Sequence, residues 1–297
     1  MGTHMGTDAG APMGPDRSGG VGSARDARGA VGRDIGPVTG TDAAGAGGQD
    51  ADPEADTDTD ADGTARFLRL LRALPAPPDA EALYGPGGAG PLRRRNLLRY
   101  LDLMREVGPK VLLVAEAPGY RGTTVTGVPF MSVRQLTAKP GLITGRPEGD
   151  GFEAPDRPAF DREASSAAVW GALASWQGRK PLLWGIYPHH PHAPGDPHTN
   201  RTPRASEIAA GAPIALALAA AFGITSLVAV GRKAQGALAA GGLTAPAIRH
   251  PAQGGARIFA AQLAALNAEQ ERREEPGPQQ REQRPERGEQ GEQRPEG

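Results

Sequence analysis

Four short apolar runs alternate with longer segments of helical periodicity through the middle of the chain. The runs lie at 111–115, 182–186, 226–230 and, more weakly, 247–249. The helical segments lie at 92–107, 162–176, 205–222, 232–240 and 256–267. Runs of this length, rich in Val, Ile and Leu, are typical of parallel strands buried on both faces. The alternation predicts an α/β class fold, a three-layer α/β/α domain with a short, mainly parallel four-stranded central sheet.

The two ends of the chain differ sharply from this middle in composition. Residues 1–63 are mostly Gly, Ala, Asp, Thr and Pro without apolar periodicity, and residues 269–297 repeat Glu, Gln, Arg, Pro and Gly. Segments of this kind bury too little apolar surface to offset the entropy of ordering them. We therefore predict a folded domain at 64–268 between two disordered tails.

The charge of the chain divides along the same boundaries. The formal net charge is only -1, but residues 1–63 carry 4 Arg against 12 acidic residues and residues 269–297 carry 6 Arg against 9. Residues 64–268 hold 23 basic and 13 acidic residues, a net charge of +10. A basic domain between acidic tails indicates a polyanionic partner such as DNA, the alternative being a basic surface that serves solubility alone.

Several classes of protein are excluded by what the sequence lacks. It has no Cys, which excludes disulfides, zinc thiolate sites and iron–sulfur clusters. No run approaches the roughly 18 apolar residues of a membrane span, and the N-terminus lacks the basic and then apolar pattern of a signal peptide. We expect a cytoplasmic, nucleoid-associated protein with no membrane partner.

Chemically active residues follow all four predicted strands. Glu116 to Tyr120 follow the first, and Gly231 to Lys233 follow the third. The second is followed by a His-rich stretch, 187–203, and the fourth by His250 to Gly255. Because the carboxyl ends of parallel strands meet at one edge of a sheet, these residues predict one site there. The four His residues of the second loop are interleaved with Pro, which gives an extended chain without fixed ligand spacing, so no metal site is predicted.

Five of these segments together resemble the uracil-DNA glycosylase superfamily, in the branch whose first motif reads Gly-Glu-Ala-Pro-Gly. They are Val-Leu-Leu-Val-Ala-Glu-Ala-Pro-Gly at 111–119, Gly-Val-Pro-Phe at 127–130, Asn-Arg-Thr-Pro at 200–203, Val-Gly-Arg-Lys at 230–233 and His250-Pro251. The resemblance covers nearly the whole middle of the chain in order. It implies a monomeric, cofactor-free, monofunctional DNA glycosylase that hydrolyses the N-glycosidic bond of a damaged or modified base, uracil or a related one, in base excision repair.

The resemblance also implies roles for individual residues. Glu116 would orient the attacking water or stabilise the cationic sugar, and His250 would stabilise negative charge on the leaving base. The extruded base would be bound by Ala117, Pro118, Gly119 and Gly185, with Phe130 stacked on it. The expected DNA contacts are Tyr120, Arg121, His189, His192, Asn200, Arg201, Arg232, Lys233, Gln253 and Gly254.

This sequence departs from the family pattern at positions that bear on specificity. The cysteines of the iron–sulfur branch are absent, Ala115 stands where the motif has Gly, and Ala252 replaces a common Ser. Gly185 stands where relatives place the Asn whose amide reads the pyrimidine edge, so we expect weak discrimination and room for a larger base. Two alternatives stay open: an N-glycosidase of free nucleosides or nucleotides, and a DNA-binding member that has lost catalysis.

Overall fold

A computed structural model describes the backbone of residues 55–274 and the side chains of residues 63–273. The strands are β1 (Ala80–Glu81), β2 (Val111–Ala115), β3 (Leu182–Gly185), β4 (His190–Pro191), β5 (Ser226–Val230) and β6 (Ala247–Ile248). The helices are α1 (Ala55–Ala73), α2 (Gly90–Val107), α3 (Thr123–Thr126), α4 (Val133–Leu136), α5 (Ala164–Leu173), α6 (Ala205–Ala221), α7 (Arg232–Ala240) and α8 (Ala256–Glu274).

The central sheet has four parallel strands in the order β3-β2-β5-β6. Each predicted strand is confirmed to within one residue at its ends, because each is a continuous apolar run. All five residues of β5 and the first four of β2 are buried. The predicted fold class, a three-layer α/β/α domain on a short parallel sheet, is confirmed.

The order of the strands explains the two helical layers. The chain passes from β2 to β3 and then reverses across β2 to reach β5 and β6. Right-handed crossovers therefore put α5 on one face and α6 and α7 on the other. The contacts agree, since α5 packs on α8, whereas α6 packs on α1 and α7. At the point of reversal, between β2 and β5, the loops diverge to opposite faces, and open α/β sheets bind ligands in the crevice that such a reversal forms at the carboxyl ends of the strands.

Some elements were not predicted from the sequence. The antiparallel pair β1 and β4 is two residues long, too short to show a period. Helix α1 begins before the predicted boundary at 64, and α8 continues past the boundary at 268. Phe67 of α1 is fully buried and meets Trp184 of β3 edge-on at 5.1 Å between ring centroids, so α1 contributes to the core.

The predicted disorder of the tails concerns mostly residues 1–54 and 275–297, which lie outside the described residues, and it stays a prediction. Among the helices that the structure describes, none is long and apolar enough to cross a membrane.

Candidate active site

Glu116 stands at the exact carboxyl end of β2, where the ladder with β3 continues for one more residue. Its carbonyl oxygen accepts a hydrogen bond from the Tyr187 N–H at 3.1 Å, so its backbone is held in position. The side chain is half-buried. Burial raises the pKa of the Glu116 carboxyl, and the positive charge of Lys233 acts in the opposite direction. The result is a partly desolvated carboxylate with a cation near it.

His250 follows β6 and is oriented by its own turn. Its Nδ1 accepts a hydrogen bond from the Ala252 N–H at 3.1 Å, which puts the proton of the neutral ring on Nε2. Burial, followed by the charges of Arg249 and Lys233, lowers the pKa of His250. Near neutral pH the ring is therefore uncharged and offers an Nε2–H donor.

Gly231 allows His250 to approach the end of β5. A Cβ on residue 231 would lie 2.9 Å from the Cβ of His250, and the φ angle of 93° is one that side chains other than Gly rarely permit. The glycine in the Val-Gly-Arg-Lys segment is thus required by the packing of β5 against the His250 loop.

The charge of Lys233, which follows β5, acts on the residues that follow β2 and β6. Lys233 lies in the first turn of α7, is exposed, and donates a hydrogen bond from Nζ to Thr202 Oγ1 at 3.2 Å. Its charge acts on the titration of both Glu116 and His250. Three residues from three predicted loops therefore lie in one electrostatic environment at the crevice.

The loop after β2 is held by the loop after β3. The side-chain oxygen of Asn200 accepts a hydrogen bond from the Tyr120 N–H at 3.1 Å. The fully buried ring of His190 lies between two carbonyl oxygens, with Nδ1 2.9 Å from that of Pro118 and Nε2 3.1 Å from that of Pro197. The motif residue Asn200 thus positions the candidate base-binding loop.

A second carboxyl, which the sequence analysis missed, lies beneath the same loop. Glu163 precedes α5, and its Oε2 accepts a hydrogen bond from Ser166 Oγ at 2.5 Å. A Cβ on Gly119 would come within 2.8 Å of Glu163 Oε1, and one on Gly122 would collide with the same carboxyl. Burial raises the pKa of Glu163, with Arg121 opposing it. Glu163 lies directly before α5 and follows no predicted strand. The sequence analysis looked for site residues only after strands, so it did not identify this carboxyl.

Phe130 has a strained backbone. Its φ is 55°, a left-handed value that costs a bulky residue roughly 1–3 kcal/mol. Its N–H donates to Thr123 Oγ1 at 3.1 Å, and its carbonyl accepts from Trp170 Nε1 at 3.1 Å, so both backbone groups are fixed. A strained backbone that is held in place by fixed hydrogen bonds is common at ligand sites. The ring is nearly buried, with 9% of the residue exposed.

Gly185 faces the candidate base-binding loop. It pairs with Ala115 in the sheet, and a Cβ there would lie 3.4 Å from the Cα of Ala117 and 3.3 Å from the carbonyl oxygen of Tyr187. Both contacts are tight and involve backbone atoms, so a side chain at position 185 requires the neighbouring loop to shift by a few tenths of an ångström.

The predicted DNA contacts fall into two groups. The side chain of Tyr120 is half-buried, and six further residues are exposed. These six are Arg121, Asn200, Arg232, Lys233, Gln253 and Gly254. The side chains of His189, His192 and Arg201 instead make contacts inside the protein.

For these three residues the structure favours a structural role over the predicted DNA contact. His189 is 3% exposed with Nε2 3.1 Å from the carbonyl oxygen of Leu74, and His192 is 8% exposed with Nδ1 2.9 Å from that of Ala193. A buried imidazole cannot reach a phosphate without local rearrangement. In the part of the chain with described side chains, no group of three His, Asp or Glu is placed to hold a metal ion.

Arg201 belongs to an ion-pair cluster, defined by Asp79, Arg201, Arg204 and Glu207, that connects the segment before β1 to the start of α6. Arg201 Nε lies 3.1 Å from Asp79 Oδ2, and its NH2 lies 2.6 Å from Glu207 Oε1. Arg204 contacts both carboxylates as well. Hydrogen bonds from Arg204 and Arg201 hold the pKa of Asp79 well below its usual range. Since Asp79 lies 122 residues before Arg201, no local pattern predicted this cluster.

A parallel sheet with a reversal of strand order defines an α/β protein, and the charged residues at its carboxyl edge make that edge the candidate ligand site. No family model and no curated protein matches the sequence. Among solved structures, the chain is similar to wild-type SMUG2 of Pedobacter heparinus, with a TM-score of 0.50, 12% identity, and coverage of 72% of this chain and 99% of that one. At this identity the likeness shows a shared fold.

Proposed function

We propose that this protein is a DNA glycosylase that hydrolyses the N-glycosidic bond of a damaged or modified base, uracil or a related one. The observation that carries the proposal is the convergence of Glu116, Lys233 and His250 at the carboxyl ends of β2, β5 and β6. The fold, shared with SMUG2 of the uracil-DNA glycosylase superfamily, supports it.

The charges of this site suit the reaction. As the bond from C1′ to the base breaks, its electron pair leaves with the base, so positive charge develops on the sugar and negative charge on the base. The Glu116 carboxylate stabilises the sugar and accepts a proton from the water that bonds to C1′. The neutral ring of His250 donates from Nε2 to an oxygen of the leaving base, and Lys233 adds a positive potential there. Groups that act on developing charge lower the barrier directly.

The exposed groups around the crevice suit a DNA substrate. A base inside a duplex must be extruded before its glycosidic bond can be reached. Arg121, Arg232 and Lys233 are exposed at this edge and can neutralise phosphates. Phe130 would stack on the extruded base, and Ala117 to Gly119 with Gly185 would form the rest of its pocket. We expect a monomer that acts on DNA in the nucleoid.

The test is a panel of oligonucleotides that each contain one uracil, hypoxanthine, xanthine or alkylated base. Base release is measured as strand breakage at abasic sites after alkaline treatment. We expect release of at least one base and loss of release in Glu116→Gln, whereas Glu106→Gln, which removes an exposed carboxylate paired with Arg146, serves as the matched control.

The same panel separates the two alternatives. A nucleoside N-glycosidase would cleave free deoxynucleosides in preference to oligonucleotides, although such an enzyme has no use for the exposed cations at the crevice. A member that has lost catalysis would bind the oligonucleotides and release no base. Either result would overturn the proposal.

A further inference from the structure

Three aromatic rings from separate segments meet beside the candidate base-binding loop. Tyr120 follows that loop, Phe160 lies in the irregular segment before α5, and His198 lies between β4 and α6. Phe160 meets Tyr120 at 5.2 Å and His198 at 5.4 Å between ring centroids, edge-on in both cases. The Arg121 guanidinium lies 5.1 Å from the ring of Tyr120 and 5.2 Å from that of Phe160. We call these four residues the aromatic platform.

The aromatic platform differs from the aromatic packing inside the domain. Arg121 and His198 are exposed, and Tyr120 and Phe160 are half-buried. By contrast, Phe67 and Trp184 are 0% and 1% exposed. The chain has only 6 Phe and 4 Tyr, so grouping two of them at the surface removes scarce aromatic area from the core. The platform therefore places three aromatic rings and a cation at the surface, where a ligand can reach them.

The platform is fixed to the candidate site. Tyr120 directly follows Gly119, and its N–H is bonded to the side chain of Asn200, whose own segment carries His198 two residues earlier. The Glu163 carboxyl lies against Gly119 and Gly122 of the loop that carries Tyr120 and Arg121, and it partly offsets the charge of Arg121. A ligand on the platform would therefore lie beside whatever occupies the crevice.

We propose that the aromatic platform stacks an unpaired nucleobase next to the target nucleotide of single-stranded DNA, with Arg121 against that nucleotide's phosphate or ring. The proposal rests on the proposed function for the identity of the neighbouring target. Every base has a π-face, so ring stacking holds a strand without reading its sequence, and a guanidinium adds both charge and a planar surface. A paired duplex base has both faces covered by its neighbours, so only an unpaired base fits the platform.

The experiment measures binding rather than turnover. Fluorescein-labelled single-stranded 11-mers carry one central uracil, with either all bases present or a tetrahydrofuran spacer replacing the 5′ or the 3′ neighbour. Affinities are measured by anisotropy in the Glu116→Gln background, alone and combined with Phe160→Leu, His198→Ala or Arg121→Gln. The matched control is Arg105→Gln, which removes a guanidinium 5.8 Å from the ring of Phe222 at the opposite edge of the sheet.

We expect one of the spacers to weaken binding about tenfold, and Phe160→Leu to weaken binding of the complete strand to a similar extent. Combining the variant with that spacer should cause no further loss, because both remove the same stacked pair. Arg105→Gln should retain both the affinity and the sensitivity to the spacer.

The platform proposal would be overturned if the losses of affinity from Phe160→Leu and from the spacer multiply when the two are combined. It would also be overturned if neither spacer weakens binding to the parent protein. Should Phe160→Leu melt at a lower temperature than its parent, His198→Ala gives the same comparison at an exposed residue. Coupling between platform and spacer without release of any base would overturn the proposed glycosylase and leave the platform intact. Release of a base without coupling between platform and spacer would overturn the platform and leave the proposed glycosylase intact.

Discussion

This domain contains two groups of charged residues that differ in how completely their charges are paired. In the ion-pair cluster of Asp79, Arg201, Arg204 and Glu207, each guanidinium contacts both carboxylates. At the candidate active site, the charge of Lys233 acts to lower the pKa of Glu116, and these two described side chains form no salt bridge.

The difference separates a structural role from a chemical one. Charges that are paired with fixed partners have little capacity left for a ligand. A half-buried carboxylate and a neutral imidazole with an oriented N–H can instead interact with charge that develops in a transition state. Residue type alone would have assigned both groups to DNA or catalysis. The predictions below test the contrast, from the largest expected effect to the smallest.

Glu116→Gln and His250→Ala should each lower the rate of base release by about a hundredfold or more, because each removes a group that acts on transition-state charge. DNA affinity should change little. Single-turnover base release and anisotropy measure the two quantities separately. If affinity falls together with the rate, these residues hold the loops rather than act on the reaction.

Lys233→Met should lower base release by roughly tenfold at neutral pH, since it removes the positive charge near the leaving base. It should also shift the pH dependence. Lys233 lowers the pKa of Glu116 and of His250, so its removal raises both, and the decline in rate on acidification begins at a higher pH. In the parent protein, release should rise with pH through a value above the ordinary 4.5 of a Glu, because burial raises that pKa. An acid limb that does not move in the variant would contradict this electrostatic link.

Gly185→Asn should raise the release of uracil several-fold relative to the parent's preferred base, because an amide on the pocket wall can read the pyrimidine edge. The added Cβ makes tight contacts with the backbone of Ala117 and Tyr187, so the variant also requires a shift of the adjacent loop. Both rates are measured for both proteins on matched single-stranded substrates, with Gly185→Ala as the control for added bulk alone. Efficient uracil release by the parent, with no gain in the Asn variant, would assign base reading to another residue.

Arg201→Ala should lower the melting temperature by roughly 3–6 °C and leave base release per folded molecule close to that of the parent. Its removal leaves Glu207 and Asp79, both buried, with fewer partners. Arg95→Ala breaks an exposed bidentate pair with Glu153 and should change the melting temperature little. If Arg201→Ala lowers DNA affinity and leaves the melting temperature unchanged, Arg201 contacts DNA as the sequence analysis predicted.

A protein shortened to residues 55–274 should fold, keep its activity and bind DNA a few-fold more tightly at low salt, because the removed acidic tails compete with phosphates for the basic face. Melting and a salt titration of affinity check both parts. Unchanged affinity with normal folding would contradict the competition alone, and failure to fold would contradict the domain boundaries.

The sequence was sufficient for the sheet and for the loops that bear the candidate site. Strands β2, β3, β5 and β6 were predictable because a strand buried on both faces must be a continuous apolar run, a local property of the chain. Glu116 and His250 were identifiable because parallel topology brings residues after such runs to one edge. Helix α1 was missed because its first half lies in an acidic, Gly-containing stretch, and its burial depends on contacts with the distant residues of α6 and β3.

Which charged or aromatic residue faces a ligand was decided only by the tertiary structure. Arg201 and Arg232 both lie in segments that follow predicted strands, so the sequence assigned both to DNA. In the structure Arg201 pairs with Asp79, far earlier in the chain, whereas Arg232 is exposed. His189 and His198 lie on either side of β4 in the same stretch between β3 and α6, one inside the domain and the other against Phe160 at its surface. Secondary structure follows from local patterns of apolar residues, whereas the pairing, burial and pKa of a side chain depend on partners that only the folded chain brings near it.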